Sequence, residues 1–328
     1  MPLPNSWSNF IALSENKADL ARFLSEELLA NAPCNKEIVV AGGFEDEREV
    51  RSSHVATNLN PLRATHEEAD TRLVLHAINV YSDTVVVSAR DTDVLLLLVS
   101  HFSRVNCNHL WMMSGTAKKR KYVPIDAVYH KLPSGSTDAL LPFHALTGCD
   151  TTSYIYGHTK QSAWKIFQDH HRLLGDLGVE YLTHSKLKSA EKFVCIMYGK
   201  DNVDSVDTLR SIMFSKSGKP EKLPPTSDSL QLHIKRVHFQ SMVWKEAHCA
   251  EPQLPDACEM GWKRDGTGLR PILMTLDSIP EACLEIVSCC CCTRCQTLRC
   301  KCRKMRLPCT SVCECRQQAD DFFNIRSS

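Results

Sequence analysis

A chain of 328 residues, 43% hydrophobic and 23% charged, can build a sizeable core with one or two attached modules. Its formal charge of +1 identifies no partner until it is resolved along the chain. The N-terminal residues show no basic start followed by an apolar stretch, and the longest apolar run, 94–100, is too short for a bilayer. The expectation is an intracellular protein with no membrane partner and reduced thiols, a setting in which clustered cysteines mean metal.

Residues 17–31 predict an amphipathic helix with Leu20, Phe23, Leu24 and Leu28 on one face and Pro33 beyond its end. "EIVVAGG" (37–43) predicts a buried strand closed by glycines. A second helix is expected over 66–80, a strand over 84–89, and a helix over 93–102. "HLWMMSG" and "KYVPI" predict two strands joined by the basic turn "TAKKRK". Helical "DALLPFHALTG" then runs into "CDTTS", and 161–174 is helical again. Strands alternating with helices imply an α/β class, with a mostly parallel sheet flanked by helices as the core of residues 1–200. A polar, Gly- and Pro-containing stretch opens a helical connecting region, 201–285, whose Leu230, Ile234, Val237 and Trp244 form a core-like stripe. Ten of the 17 cysteines fall between 289 and 315, marking a separate module over 286–318 and a tail over 319–328.

The run "VVVSARDTDVLLLLV" (85–99) carries Asp91 and Asp93 inside an otherwise apolar stretch. Burying ionised carboxylates without partners is costly. In an open α/β sheet, however, functional groups collect at the carboxyl ends of strands, which is where the turn after 84–89 places these two. "THEEADTR" puts Glu67, Glu68 and Asp70 in the first turn of a helix, and "TGCDTTS" puts Asp150 in a turn of small residues. Converging, Glu68, Asp70, Asp91, Asp93 and Asp150 would make an oxygen-rich pocket suited to Mg²⁺ or Mn²⁺. Each motif also has an ordinary reading: Thr65-x-x-Glu68 is a capping box, Asp-Thr-Asp an N-cap, and Asp150 a turn residue.

The ordered series "EEADTRLVLHA", "VVVSARDTDVLLLL" and "FHALTGCDTTS" resembles the flap-endonuclease and PIN-like nuclease superfamily over roughly residues 36–170. The resemblance implies a two-metal site in which Glu68 and Asp70 supply the first acidic pair, Asp91 and Asp93 the second, and Asp150 the last. Glu67 is an alternative to Glu68. It also implies aspartates on preceding strands, which "EIVVAGG" does not offer, and a glycine-paired turn of which "IYGHTKQSAWKIF" keeps Gly157 and Lys160 alone. The chain also resembles uncharacterised animal proteins that join such a core to a cysteine-rich tail.

That tail reads Cys289-x-Cys291-x3-Cys295-x4-Cys300-x-Cys302-x6-Cys309-x3-Cys313-x-Cys315. Thiolates at this density in a reducing cell select Zn²⁺. The spacing resembles the tesmin-type CXC domain, which implies three zincs on nine cysteines and binding to DNA; eight positions fit, and Cys283, Cys290 or Cys292 is the candidate ninth. Between 289 and 316, Arg294, Arg299, Lys301, Arg303, Lys304, Arg306 and Arg316 stand against Glu314 alone, a footprint for a phosphate backbone. "KKRK" (118–121) fits a short nuclear-import signal, but it lies in a predicted hairpin turn, and a solvated turn is the better reading. The sequence thus predicts a nuclear, metal-dependent nuclease that is directed to nucleic acid, DNA in particular, by a basic zinc module. The alternative is a catalytically silent nucleic-acid or chromatin binder with the same fold.

Overall fold

A computed structural model describes residues 6–55, 57–217, 222–266, 268–276, 289–291, 295, 297–307, 309 and 313–317. The tail 319–328 expected from the sequence lies outside the described residues. The chain divides into two compact units, Met1–Leu273 and Met274–Ser328. No helix among the described residues is long and apolar enough to cross a membrane.

The first unit opens with helices α1 (Trp7–Ala12) and α2 (Ser14–Ala30) and the antiparallel strands β1 (Val39–Ala41) and β2 (Val50–Ser52). The predicted helix forms, but its apolar stripe is not its packing face: Phe23, Leu24 and Leu28 are 57%, 49% and 53% exposed. The small side of α2 packs instead. Ser25 Oγ donates to the Gly42 carbonyl at 3.0 Å, and a Cβ on Gly43 would stand 2.7 Å from the Ala21 carbonyl oxygen. Close approach at a glycine thus sets the face of this helix. "EIVVAGG" yields a three-residue, half-buried strand in a two-stranded sheet and not a buried one.

Next come α3 (Ala69–Ile78), β3 (Thr84–Ser88), α4 (Thr92–His101), β4 (His109–Thr116), β5 (Lys119–Pro124), α5 (Ile125–Lys131) and α6 (Thr137–Leu146). The order in this sheet is β3-β4-β5; β3 runs parallel to β4, with Val85 opposite Leu110 and Val87 opposite Met112, and β5 is antiparallel. The α/β class holds, but the sheets are small, and β3–β4 is the one parallel pair among the described strands. The basic turn explains part of this, because a two-residue connection can only join antiparallel neighbours. It also leaves Lys119, Arg120 and Lys121 on an exposed strand and Lys118 alone in the turn. Alternation along β3 buries Val85 and Val87 and leaves Val86 half exposed, so one face of the sheet carries the core.

Helices α7 (Lys160–His170), α8 (His184–Met197), α9 (Val206–Ser217) and α10 (Ser227–Lys245) and the hairpin β6 (Trp262–Asp265) and β7 (Gly268–Pro271) complete the unit. The stripe predicted at 230–244 is core: Leu230, Ile234, Val237 and Trp244 are all at most 2% exposed and join one cluster with Leu97, Leu140, Phe167 and Phe193. By itself, the second unit contains the short helices α11 (Lys301–Lys304) and α12 (Glu314–Gln317) around a core made of cysteines.

Candidate metal centres

The first acidic motif does not form the capping box. Glu68 is itself the N-cap residue of α3 and makes no capping bond with its side chain. Its two oxygens face α10: Oε1 accepts from Gln240 Nε2 and Oε2 from Trp244 Nε1, each at 3.2 Å. Asp70 follows in the first helical turn, while Glu67 is exposed.

The second motif combines both readings. Asp91 is the N-cap of α4, its Oδ1 accepting the Asp93 amide at 3.0 Å. Asp93 points inward, and its Oδ1 lies 2.6 Å from Nε2 of His144, a residue of α6 that is 3% exposed. The third motif is a turn that only glycine can open. Gly148 adopts φ +103°, and a Cβ there would stand 2.8 Å from the Cβ of Tyr154. Cys149 and Thr152 exchange backbone hydrogen bonds across the turn, and Thr152 Oγ1 donates to the Ala145 carbonyl at 2.6 Å. This leaves Asp150 exposed at the turn's tip.

All five predicted carboxylates belong to one electrostatic neighbourhood. Burial raises the Asp70 pKa above its usual range, and repulsion from Asp91, Asp93 and Asp150 raises it further. Burial likewise raises Glu68, against the bonds from Gln240 and Trp244, and Asp70 and Asp93 add to the rise. A cavity of about 1010 Å³ opens beside them, lined among others by Glu67, Glu68, Asp150, Gln240 and Trp262. Among the described residues, however, the sets of His, Cys, Asp or Glu whose ligand atoms all lie within 4.8 Å of one another consist of cysteines. The carboxylates share a field; they do not form a closed cage.

The cysteine unit does. All eight predicted cysteines fall into three four-thiol sets: Cys289, Cys295, Cys309 and Cys315; Cys289, Cys302, Cys309 and Cys313; and Cys289, Cys291, Cys295 and Cys300. Within them the Cys289 sulfur lies 3.9, 3.8 and 3.6 Å from those of Cys295, Cys309 and Cys315, and Cys302 and Cys313 are 3.6 Å apart. A tetrahedron with zinc–sulfur bonds of about 2.3 Å has edges of about 3.8 Å, so these separations fit zinc. Seven of the eight are buried and Cys291 is half-buried. Burial, then the neighbouring Cys313 thiol, pushes Cys302 up to about 12. At Cys300 burial acts in the same sense, but the Arg303 amide and the surrounding thiols outweigh it and bring the thiol down to about 7. Of the candidate ninth cysteines, Cys290 is exposed, and Cys283 and Cys292 lie outside the described residues. Arg299, Lys301, Arg303, Lys304 and Arg306 are all exposed around this core; Arg294 lies outside the described residues.

Sequence reasoning missed His144, Lys160 as a partner of His144, and the Gln240–Trp244 pair. His144 carries a local signal, since it sits one helical turn before Gly-Cys-Asp in a helix that is otherwise apolar. Gln240 and Trp244 reach Glu68 across 172 and 176 positions, a separation that no motif spans. No family model, curated protein or solved structure matches the chain.

Proposed function

We propose that the first unit is a PIN/flap-nuclease-like domain that hydrolyses nucleic-acid phosphodiester bonds with Mg²⁺ or Mn²⁺, and that the second is a CXC-like zinc module that binds the nucleic acid, DNA in particular, in the nucleus. The observation that carries the reading is that acidic residues from three separate motifs around β3 stand close enough to act on one another: Asp91, Asp93 and Asp150 raise the pKa of Asp70, and Asp70 and Asp93 raise that of Glu68. No lysine or arginine side chain hydrogen-bonds any of the five carboxylates directly among the described residues; Lys160 acts on Asp93 through His144 and by charge, and a bound cation would meet the rest. Mg²⁺ is usually held by one or two carboxylates with waters completing the shell, so a closed cage of protein ligands is not required.

When bound, divalent ions would supply a water activated for in-line attack on phosphorus and charge stabilisation at the leaving oxygen. The chain's part is positional. Asp91 and Asp150 are exposed, Asp70 is half-buried, Asp93 is held by His144, and Glu68 is fixed by Gln240 and Trp244. The exposed basic side chains of the cysteine unit would hold phosphates through charge.

A specific observation also favours the silent binder: both Glu68 oxygens already accept hydrogen bonds from α10, which weakens it as a ligand. The deciding experiment incubates the full chain with labelled single-stranded, duplex and flap substrates in Mn²⁺, alongside Asp91→Asn. Cleavage by the parent and its loss by orders of magnitude in the variant supports the nuclease. Binding with no cleavage supports the silent reading.

A further inference from the structure

The Asp93 carboxylate has a partner that the acidic motifs do not announce. His144 Nε2 lies 2.6 Å from Asp93 Oδ1, and on the other side of the ring Nδ1 lies 2.9 Å from Lys160 Nζ. Lys160 Nζ also reaches the His144 carbonyl at 3.1 Å and Thr147 Oγ1 at 3.4 Å. An ammonium group has three donors and no acceptor, so Nδ1 must accept and the ring proton must sit on Nε2, donating to Asp93. The order of the chain is therefore carboxylate, neutral imidazole, ammonium.

We infer that His144 and Lys160 are positioning residues that hold Asp93 ready as a metal ligand: the imidazole, its tautomer set by Lys160, engages Oδ1 and leaves Oδ2 for the metal. This rests on the metal-dependent reading of that cluster. Three elements converge to make the arrangement, with Asp93 in the first turn of α4, His144 on α6 and Lys160 at the first position of α7. The Trp244 ring stands 5.7 Å from the His144 ring at an interplanar angle of 38°, while its N–H holds Glu68. One buried pair, His144 and Trp244, thus braces ligands from two of the three motifs. Groups that orient a ligand in this way typically change metal affinity 10- to 100-fold when removed.

The test measures Mn²⁺ affinity of the full chain by electron paramagnetic resonance for the parent, His144→Leu, His144→Gln and Lys160→Met. His144→Leu and Lys160→Met are expected to weaken Mn²⁺ binding roughly 10- to 100-fold with cooperative melting retained, and His144→Gln, which keeps an N–H donor, to recover most of the loss. Nitrogen NMR of the metal-free parent supplies a readout that needs no variant and should place the His144 proton on Nε2. Unchanged affinity in folded variants, or a proton on Nδ1, overturns the inference. A parent that binds no Mn²⁺ overturns it together with the nuclease reading. If the parent binds Mn²⁺ with the expected variant pattern but cleaves nothing, the positioning role stands and the nuclease reading fails.

Discussion

The two candidate centres are assembled in opposite ways. In the cysteine unit every ligand lies within 27 residues of chain, the side chains are themselves the core, and one residue, Cys289, enters all three sets. In the first unit the carboxylates come from motifs spread over 83 residues, from 68 to 150, and a separate aliphatic and aromatic core holds them in place. On the zinc reading the cysteine unit needs its metal in order to fold, whereas the carboxylates sit on a fold with a core of its own. Metal removal should unfold the first kind of site and merely loosen the second.

The largest effect follows from that contrast. Full chain purified without chelators is expected to carry well over one zinc ion in elemental analysis. Stripping the zinc should abolish the dispersed NMR signals of residues 289–317 and leave the cooperative melt of the first unit in place, since structural zinc contributes on the order of 10–16 kcal/mol to such modules. Cys289→Ser should lower zinc content more than Cys291→Ser or Cys315→Ser, because only Cys289 belongs to every set. Zinc retention should also fall as pH falls, since burial holds the Cys302 proton up to about 12 and the metal has to displace it. A cysteine unit that stays folded without metal would erase the contrast.

A smaller effect separates the units by charge. Deleting 286–328 removes seven basic residues in the cysteine segment and should weaken duplex binding while flattening the dependence of log K on log salt, by up to about six in slope. Titrations at two salt concentrations measure this; an unchanged slope would move the phosphate contacts to the first unit.

Within the first unit the turn that presents Asp150 is the next lever. Gly148→Ala places a Cβ against Tyr154 at a left-handed φ and should cost about 1–3 kcal/mol in denaturant unfolding, with no effect on zinc content. The smallest effect is electrostatic. Asp70 has a raised pKa because burial and three carboxylates disfavour its charge, so its ionisation costs stability at neutral pH. Asp70→Asn should therefore raise the melting temperature of metal-free protein slightly at pH 7. That gain should shrink as pH falls through the raised pKa and the parent's own Asp70 takes up its proton. A gain that persists at acid pH would point to packing instead of charge.

What could be read from the sequence follows the same division. The eight thiols that the structure groups were legible because their spacing alone brings them together. Helices at 69–78, 92–101 and 137–146 and the strand at 84–88 were legible from periodicity to within a few residues. Which face of α2 packs was not, because Gly42 and Gly43 decide it from another element. The extent of parallel pairing was not legible either, since alternation along β3 says which residues are buried and not which strand lies beside them. At the carboxylate site the acidic residues were visible and their supports mostly were not: His144 leaves a trace as the one polar residue of "LLPFHAL", but Gln240 and Trp244 arrive only through the packing of α10.

The central claim is that the five carboxylates form a cation site, and thermal melting of the full chain with and without Mn²⁺ tests it most directly. Asp91→Asn is the control, because Asn caps α4 nearly as well as Asp while removing a charged ligand. At a hundredfold excess over Kd, a bound ion contributes about 2.7 kcal/mol, which should raise the melting point of the parent's first unit by roughly 5–10 °C. The variant should melt at or slightly above the metal-free parent and gain far less from Mn²⁺. A parent that does not respond to saturating Mn²⁺, or a variant that responds equally, would contradict the account.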